Sequence, residues 1–365
     1  AGYDLTIEDL KNFRKKDSLT PAHPEYLKTP GVETTTGPLG QGIPMAVGMA
    51  LSELFLEAKY NKEDITLFNN YTYVLCGDGD LQEGVTCEAL SLAGNLKLNK
   101  LIILYDSNDV CLDGKTSMTF NDNVSMRFIS LGWNVITVSD GESYEAISKA
   151  IDEAKNSTDK PTLIEVKTVI GKHSSLEGTN LVHGAPLSRE EVTAIKGKLG
   201  VRDIPFTVSQ NICDDFRYFV EKRCSSLSEK FDKTVASLPE EEQEELKFFM
   251  GNDKAIPIKN FIYTPTEDLL ESPRDTSSRL LNSVVKDSPF ILGGSADLFA
   301  ANRTYIKDAG DFSANNYLGK NIFFGVREHA MGAILNGLAL SGFRVYGSTF
   351  LSFSDYMKPA IRMAA

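Results

Sequence analysis

Basic side chains are in deficit. Lys and Arg number 38 against 50 Asp and Glu, leaving a formal charge of −12. Nucleic-acid binders usually carry a basic excess, so that class is disfavoured. Anionic small substrates stay open, because a local Lys/Arg cluster holds a phosphate whatever the net charge. Cysteine is scarce and odd in number: Cys76, Cys87, Cys111, Cys213 and Cys224, with no C-x-x-C pair. That argues against a disulfide framework or a zinc site and fits a reducing cytosol, so the expected location is cytoplasmic. No apolar run approaches the ~20 residues that a membrane-spanning helix needs, and no signal peptide is visible. Histidine occurs only four times, which leaves few imidazoles for proton transfer. The chain starts at Ala1 without Met, on what reads as the end of a helix, and stops at Ala365 in an apolar, helix-like stretch. Truncation at both ends is the expectation.

What is present points to a two-part α/β protein. The 365 residues are 42% apolar, enough for two ordinary domains with sizeable cores. Short apolar runs at Tyr71–Cys76, Leu101–Tyr105, Trp133–Val138 and Leu163–Val169 suit parallel strands covered on both faces. Helical patterns at Val85–Leu96 and Tyr144–Lys155 lie between them, the second with apolar residues at Ala146, Ile147, Ala150, Ile151 and Ala154. This is a doubly wound α/β pattern, with right-handed crossovers. Residues 200–260 differ. The run Leu238–Leu246 is strongly acidic with little to bury, and reads as a solvated helix in a linker. The βα pattern resumes with strands Phe290–Gly293 and Ile322–Gly325, helix Glu328–Ser341 and strand Phe343–Tyr346.

Chemistry-bearing residues cluster at strand ends. The strand at 71–76 runs into Gly77-Asp78-Gly79, with a helix shortly after. Ligands of open α/β sheets bind beyond the carboxyl ends of strands. Such a triplet alone is usually an ordinary turn. Here the next strand ends in Asp106-Ser107-Asn108. An Asp and an Asn carbonyl from adjacent strand ends, with diphosphate oxygens and water, suit octahedral Mg²⁺ or Ca²⁺. A cation is needed because buried diphosphate charge cannot stay uncompensated. Upstream, T-T-T-G-P-L-G-Q-G at 34–42 is either a Gly/Pro turn before a helix or a loop that lets backbone lie against a flat cofactor ring.

A set of segments then resembles the transketolase family of thiamine-diphosphate enzymes, in that family's order and over essentially the whole chain. They are T-P-A-H-P-E at 20–25, T-T-G-P-L-G-Q-G, G-D-G-D-L-Q-E-G, Y-D-S-N, V-H-G-A-P at 182–186, G-G-S-A-D-L at 293–298, V-R-E-H-A-M-G-A at 326–333 and the aromatic run at 350–356. The resemblance implies two doubly wound, mostly parallel-sheet domains. A diphosphate-binding unit at 1–200 lacks its first segment, a helical linker spans 201–260, and an incomplete pyrimidine-binding unit spans 261–365. It implies thiamine diphosphate with Mg²⁺ or Ca²⁺. It also implies a homodimer with active sites at the interface, and reversible ketol transfer between sugar phosphates in the pentose phosphate pathway. No nucleic-acid or membrane partner is implied.

By resemblance, Asp78 and the Asn108 side chain bind the metal, with the Val110 backbone carbonyl as a third ligand. Gly37, Leu39 and Gly79 line the cofactor. Glu328 resembles the acid beside N1′ of the aminopyrimidine, although its position alone reads more readily as a helix-terminal carboxylate. Glu83 and Glu88 resemble acidic residues that link the two sites of a dimer by proton sharing. His23 and His183 match positions touching the donor sugar, and histidine suits that work near neutral pH. Phe350, Phe353 and Tyr356, spaced like a core stripe, match an aromatic pocket around the pyrimidine that buries Glu328. Arg279 matches a substrate-phosphate ligand, and Asp297 a residue at the cofactor-site interface. The chain departs from the family at Ala301, where a phosphate-binding Ser is usual. His173 has no expected role, and His329 is expected to point away from Glu328. Dihydroxyacetone synthase shares nearly all these motifs, and an inactive interaction fragment is the non-enzyme alternative.

Overall fold

The structure is a computed structural model, and it describes residues 2–251 and 271–365. After a short helix α1 (Ile7–Lys11), the first half contains helix α2 (Gly42–Tyr60), strand β1 (Thr72–Gly77), helices α3 (Asp78–Gln82) and α4 (Gly84–Asn95), and strand β2 (Leu101–Ser107). A tight hairpin β3 (Val110–Cys111) and β4 (Gly114–Lys115) follows, then helix α5 (Val124–Ser130), strand β5 (Asn134–Val138), helix α6 (Tyr144–Lys155) and strand β6 (Thr162–Lys167). Strands β1, β2, β6 and β5 form one parallel sheet in that order. Leu101, Ile103 and Tyr105 of β2 pack on the α2 and α4 side, whereas Ile102 packs with Ala150 and Ala154 of α6. That period of two is what a strand covered on both faces requires. The outer edge strand β1 is the exception, since Leu75 is 83% exposed.

The second half has helix α7 (Arg189–Lys198) and the long helix α8 (Gln210–Ala236), neither of which buries a residue. Helices α9 (Glu240–Met250) and α10 (Pro273–Val284), strand β7 (Ile291–Ser295), the helical turn α11 (Phe299–Asn302) and strand β8 (Asn321–Phe323) come next. Helix α12 (Glu328–Leu340), strand β9 (Arg344–Ser348) and helix α13 (Lys358–Ala364) complete it. A second parallel sheet of three strands runs β8, β7, β9. The α/β class with an incomplete second sheet is therefore as expected. The expected boundary between residues 260 and 261 lies outside the described residues.

Two expectations need correction. Residues 2–6 are not the end of a helix; Thr6 instead starts one, as the N-cap of α1. The acidic run is not a solvated helix with little to bury. Helix α9 buries Leu246 and Phe249. The Phe249 ring lies 4.5 Å from Phe290 and 5.2 Å from Phe343, which in turn meets Phe55 of α2 at 5.2 Å. Its acidic face is also used: Glu245 pairs with Lys59 at 2.9 Å and Glu242 with Lys62 at 2.8 Å. The run as read from sequence stopped at Leu246 and missed the aromatic residues that follow.

Helices α2 and α12 join the two halves. Both are apolar nearly all round and mostly buried, the pattern of central helices rather than surface ones. They cross with backbones in contact. A Cβ on Gly48 would stand 2.1 Å from the Ile334 carbonyl oxygen, and one on Gly337 would stand 1.9 Å from that of Met45. Only hydrogen fits at either place. Gly337→Ala is therefore expected to destabilise the protein by about 3 kcal/mol, the upper range for overpacking. Urea unfolding measures this, and an unchanged midpoint would show that the crossing relaxes freely.

Candidate active site

The β1–β2 register pairs Gly77 with Asp106, so Asp78 and Asn108 emerge side by side from the same sheet edge. Asp78 is buried at the start of α3. Its Oδ1 accepts the Tyr105 hydroxyl at 2.6 Å, and the Asn108 backbone N–H also donates to the carboxylate. Its Oδ2 is buried and has no partner. Burial pushes the Asp78 carboxyl above the usual carboxylate range, against the pull of the Tyr105 bond. Asn108 Oδ1 accepts the Val110 N–H at 3.1 Å, and its Nδ2 donates to Asp106 at 3.1 Å. Between them Asp109 adopts the left-handed region, φ 60°, which folds Val110 back under the strand end. An orphaned, desolvated carboxylate oxygen beside an amide oxygen is what a hard divalent cation takes. The residues present fit such an ion.

The loop before α2 lies against this edge. Gly37 has φ 141°, and a Cβ there would stand 3.1 Å from the His23 ring. Gly79 lacks a side chain where Leu39 Cδ1 approaches to 3.0 Å of its Cβ position. Gly40, at φ 76°, leaves the space that Glu83 fills. His23, Gly37, Leu39, Gly79 and Glu83 are thus brought to one rim.

The first turn of α12 faces that rim. Glu83, Glu88, Glu328, His329, Phe353 and Tyr356 line a cavity of about 510 Å³. Glu328 is 9% exposed. Glu88 accepts the Ala330 N–H at 2.9 Å, a carboxylate placed on the positive end of a helix. The expectation for His329 is corrected: it lines the same cavity as Glu328. Its Nε2 lies 2.7 Å from the Gln41 amide nitrogen, so the ring accepts there. Burial holds the imidazole below its ordinary value, with Glu88 and Glu83 pulling the other way. Phe353 and Tyr356 lie on a 3₁₀ turn at 351–357 that Phe350 caps, where a spacing of three stacks side chains on one face. The rings of Phe350 and Phe353 are 5.7 Å apart. They are not a core stripe, because the three are 39%, 38% and 67% exposed. Glu328 is buried and shares its cavity with Phe353 and Tyr356, two of the three aromatics expected to cover it.

Other expected residues stand elsewhere. His183 follows the turn at 180–182, with a buried Nδ1 that has no partner. Asp297 is exposed beyond β7 in the left-handed region, φ 61°. Arg279 on α10 donates to Glu271 at 2.6 Å. It lines a separate cavity of about 1220 Å³ with Asp275, Lys286, Arg303 and Lys307. The Ala301 backbone carbonyl accepts from Arg274 at 3.1 Å. Tyr105, Asp80, Gln41 and His329 are the site residues that sequence reasoning missed. Tyr105 read only as a strand former, and the other three carried no signal beyond lying inside or beside the motifs.

Residues 1–254 match the family model described as "Transketolase, thiamine diphosphate binding domain", and residues 272–365 match "Transketolase, pyrimidine binding domain". The chain belongs to the transketolase family. Transketolase of Bacillus subtilis is 48% identical over 100% of the chain, which covers 56% of that protein. Transketolase from Leishmania mexicana superposes with a TM-score of 0.94 at 42% identity, over 100% of this chain and 55% of that one. A Pichia stipitis transketolase in complex with sedoheptulose 7-phosphate matches at a TM-score of 0.92 and 42% identity, over 100% and 56%. This transketolase-family chain thus spans little more than half the length of the relatives it matches. Among its described residues no helix is long and apolar enough to cross a membrane.

Proposed function

We propose that the chain is part of an enzyme that moves a two-carbon ketol unit reversibly between sugar phosphates. The donor is a ketose phosphate such as xylulose 5-phosphate. The acceptor is an aldose phosphate such as ribose 5-phosphate or erythrose 4-phosphate, as in the pentose phosphate pathway. The cofactors are thiamine diphosphate and Mg²⁺ or Ca²⁺, the assembly is a homodimer with sites at the interface, and the location is cytoplasmic. The observation that carries this reading is the buried, unpartnered Oδ2 of Asp78 at the strand edge, in a chain whose first 254 residues match the thiamine diphosphate binding domain.

Thiamine diphosphate, when bound, supplies a stabilised carbanion and an electron sink. The chain does the rest. Asp78 Oδ2, the second lone pair of Asn108 Oδ1 and the Val110 carbonyl hold the cation that neutralises the diphosphate. Gly37, Leu39 and Gly79 let backbone and one apolar side chain lie against the cofactor. Glu328 holds a proton at N1′ of the aminopyrimidine, with Glu83 and Glu88 passing protons between the sites of the dimer. The exposed faces of Phe350, Phe353 and Tyr356 stack on the pyrimidine, and Asp297 lies at the cofactor-site interface. His23 and His183 meet the hydroxyls and carbonyl of the donor sugar, and Arg279 its phosphate. The test is to incubate the intact protein with both cofactors, xylulose 5-phosphate and ribose 5-phosphate. Sedoheptulose 7-phosphate and glyceraldehyde 3-phosphate are the expected products by NMR; their absence would overturn the reading. Competition with formaldehyde as acceptor separates dihydroxyacetone synthase.

A further inference from the structure

Asp80 has the carboxylate on which the two glycine loops of the site converge. Its Oδ1 accepts the Gly40 N–H at 2.9 Å, and its Oδ2 accepts the Gly77 N–H at 3.0 Å. The first bond crosses forty residues of sequence, from the loop before α2 to the turn after β1. The Asp80 main chain is fixed as well. Its carbonyl accepts the hydroxyl of Thr86 at 2.7 Å, and Thr86 is fully buried in α4. One residue therefore ties three elements: the Gly37–Gln41 loop, the end of β1 and the start of α4.

The second of these bonds alone is ordinary. A carboxylate at the third position of a helix commonly accepts the N–H at its start, and Asp80 does this for α3. The bond to Gly40 has no such local cause. Gly40 lies at φ 76°, with its open side against Glu83, and the loop holding it has no regular secondary structure between residues 32 and 41. A charge-assisted bond to a backbone N–H is among the stronger tethers available to a loop. It sets how far Leu39 reaches over Gly79, and Leu39 Cδ1 approaches to 3.0 Å of the Gly79 Cβ position.

We propose that Asp80 is a positioning residue that closes the cofactor cradle, by clamping the Gly40 and Gly77 backbone to one carboxylate so that Leu39 and Gly79 face the ligand at a fixed separation. The inference rests on the reading of this edge as the thiamine diphosphate site. It gives Asp80 a role through the backbone it holds, not through contact with the cofactor.

The test uses the intact protein as wild type, Asp80→Ala and Asp80→Asn. Cofactor-free amide exchange is followed at Gly40 and Gly77, and thiamine diphosphate is titrated with saturating Mg²⁺ by calorimetry. In Asp80→Ala the Gly40 amide is expected to exchange at least about tenfold faster, and the cofactor Kd to rise about 10- to 100-fold, the loss that follows a charge-assisted bond. Amides in the middle of α2 keep their protection. Asp80→Asn keeps one acceptor oxygen and is expected to fall between. A purely local capping role would accelerate Gly77 alone and leave the Gly40 amide and the Kd unchanged; that result overturns the inference. Failure of the wild type to bind thiamine diphosphate would overturn the functional reading instead, and the Gly40 exchange would still report on the clamp.

Discussion

Glu328→Gln is expected to slow exchange of the thiazolium proton with deuterium by about 10²–10⁴, the usual cost of losing one positioned acid–base group. The fold should survive. Glutamine keeps the shape of the side chain in the first turn of α12, and the cap on that helix is Glu88, which accepts the Ala330 N–H independently of Glu328. The proposed cation site should survive too, because its residues lie just beyond the ends of β1 and β2. What the amide cannot do is give and take a proton at N1′. Exchange is followed by NMR in acid-quenched samples of wild type and variant, each saturated with cofactor. Equal rates in both would leave Glu328 as a helix-terminal carboxylate and remove the proposed proton path.

Asp78→Asn separates stability from function in opposite directions. In the cation-free protein the wild-type carboxylate is desolvated, and one oxygen has no partner. Asparagine has nearly the same shape, keeps an oxygen for Tyr105 and the Asn108 N–H, and puts a neutral group where the charge was unmatched. Burying an unpaired neutral group costs less than burying an unpaired charge. The variant is expected to unfold at higher urea without cation, by about 1 kcal/mol. Mg²⁺-dependent cofactor affinity is expected to fall at least about 100-fold, beyond what loss of an outer-shell partner typically costs. Urea unfolding in EDTA and calorimetric titration with Mg²⁺ and thiamine diphosphate measure the two arms. Wild-type affinity in the variant would remove Asp78 from the cation site.

Much of the fold was legible because its signals are local. Alternation and β-branched runs located β1, β2, β5 and β6 to within two residues at either end, and the period of 3.6 gave α6 its observed bounds. The strand-edge pair Asp78 and Asn108 was legible from spacing, since a short helical connection between parallel strands sets their interval. What failed depends on contacts between distant segments. Helix α9 read as solvated because Phe249 finds its partners, Phe290 and Phe343, some forty and ninety residues later. His329 was set aside on helix geometry, yet the bond to Gln41 turns its ring into the shared cavity. Tyr105 gave no sign of holding Asp78, because a tyrosine at a strand end is an ordinary strand former. The aromatic set at 350–356 has the spacing of a buried stripe in either reading, and only its exposure in the fold separates them.

The glycine crossing of α2 and α12 has a dynamic consequence. Helices that touch backbone to backbone resist sliding, because at the glycine contacts no side chain lies between them to repack. One helix belongs to each half of the chain, so these halves have no hinge at the point where they meet. Enzymes that sequester substrate by swinging two lobes together need such a hinge. Here the crossing resists such a swing within the chain, so the spacing between Glu83 and the first turn of α12, which line one cavity, is set by how the helices pack.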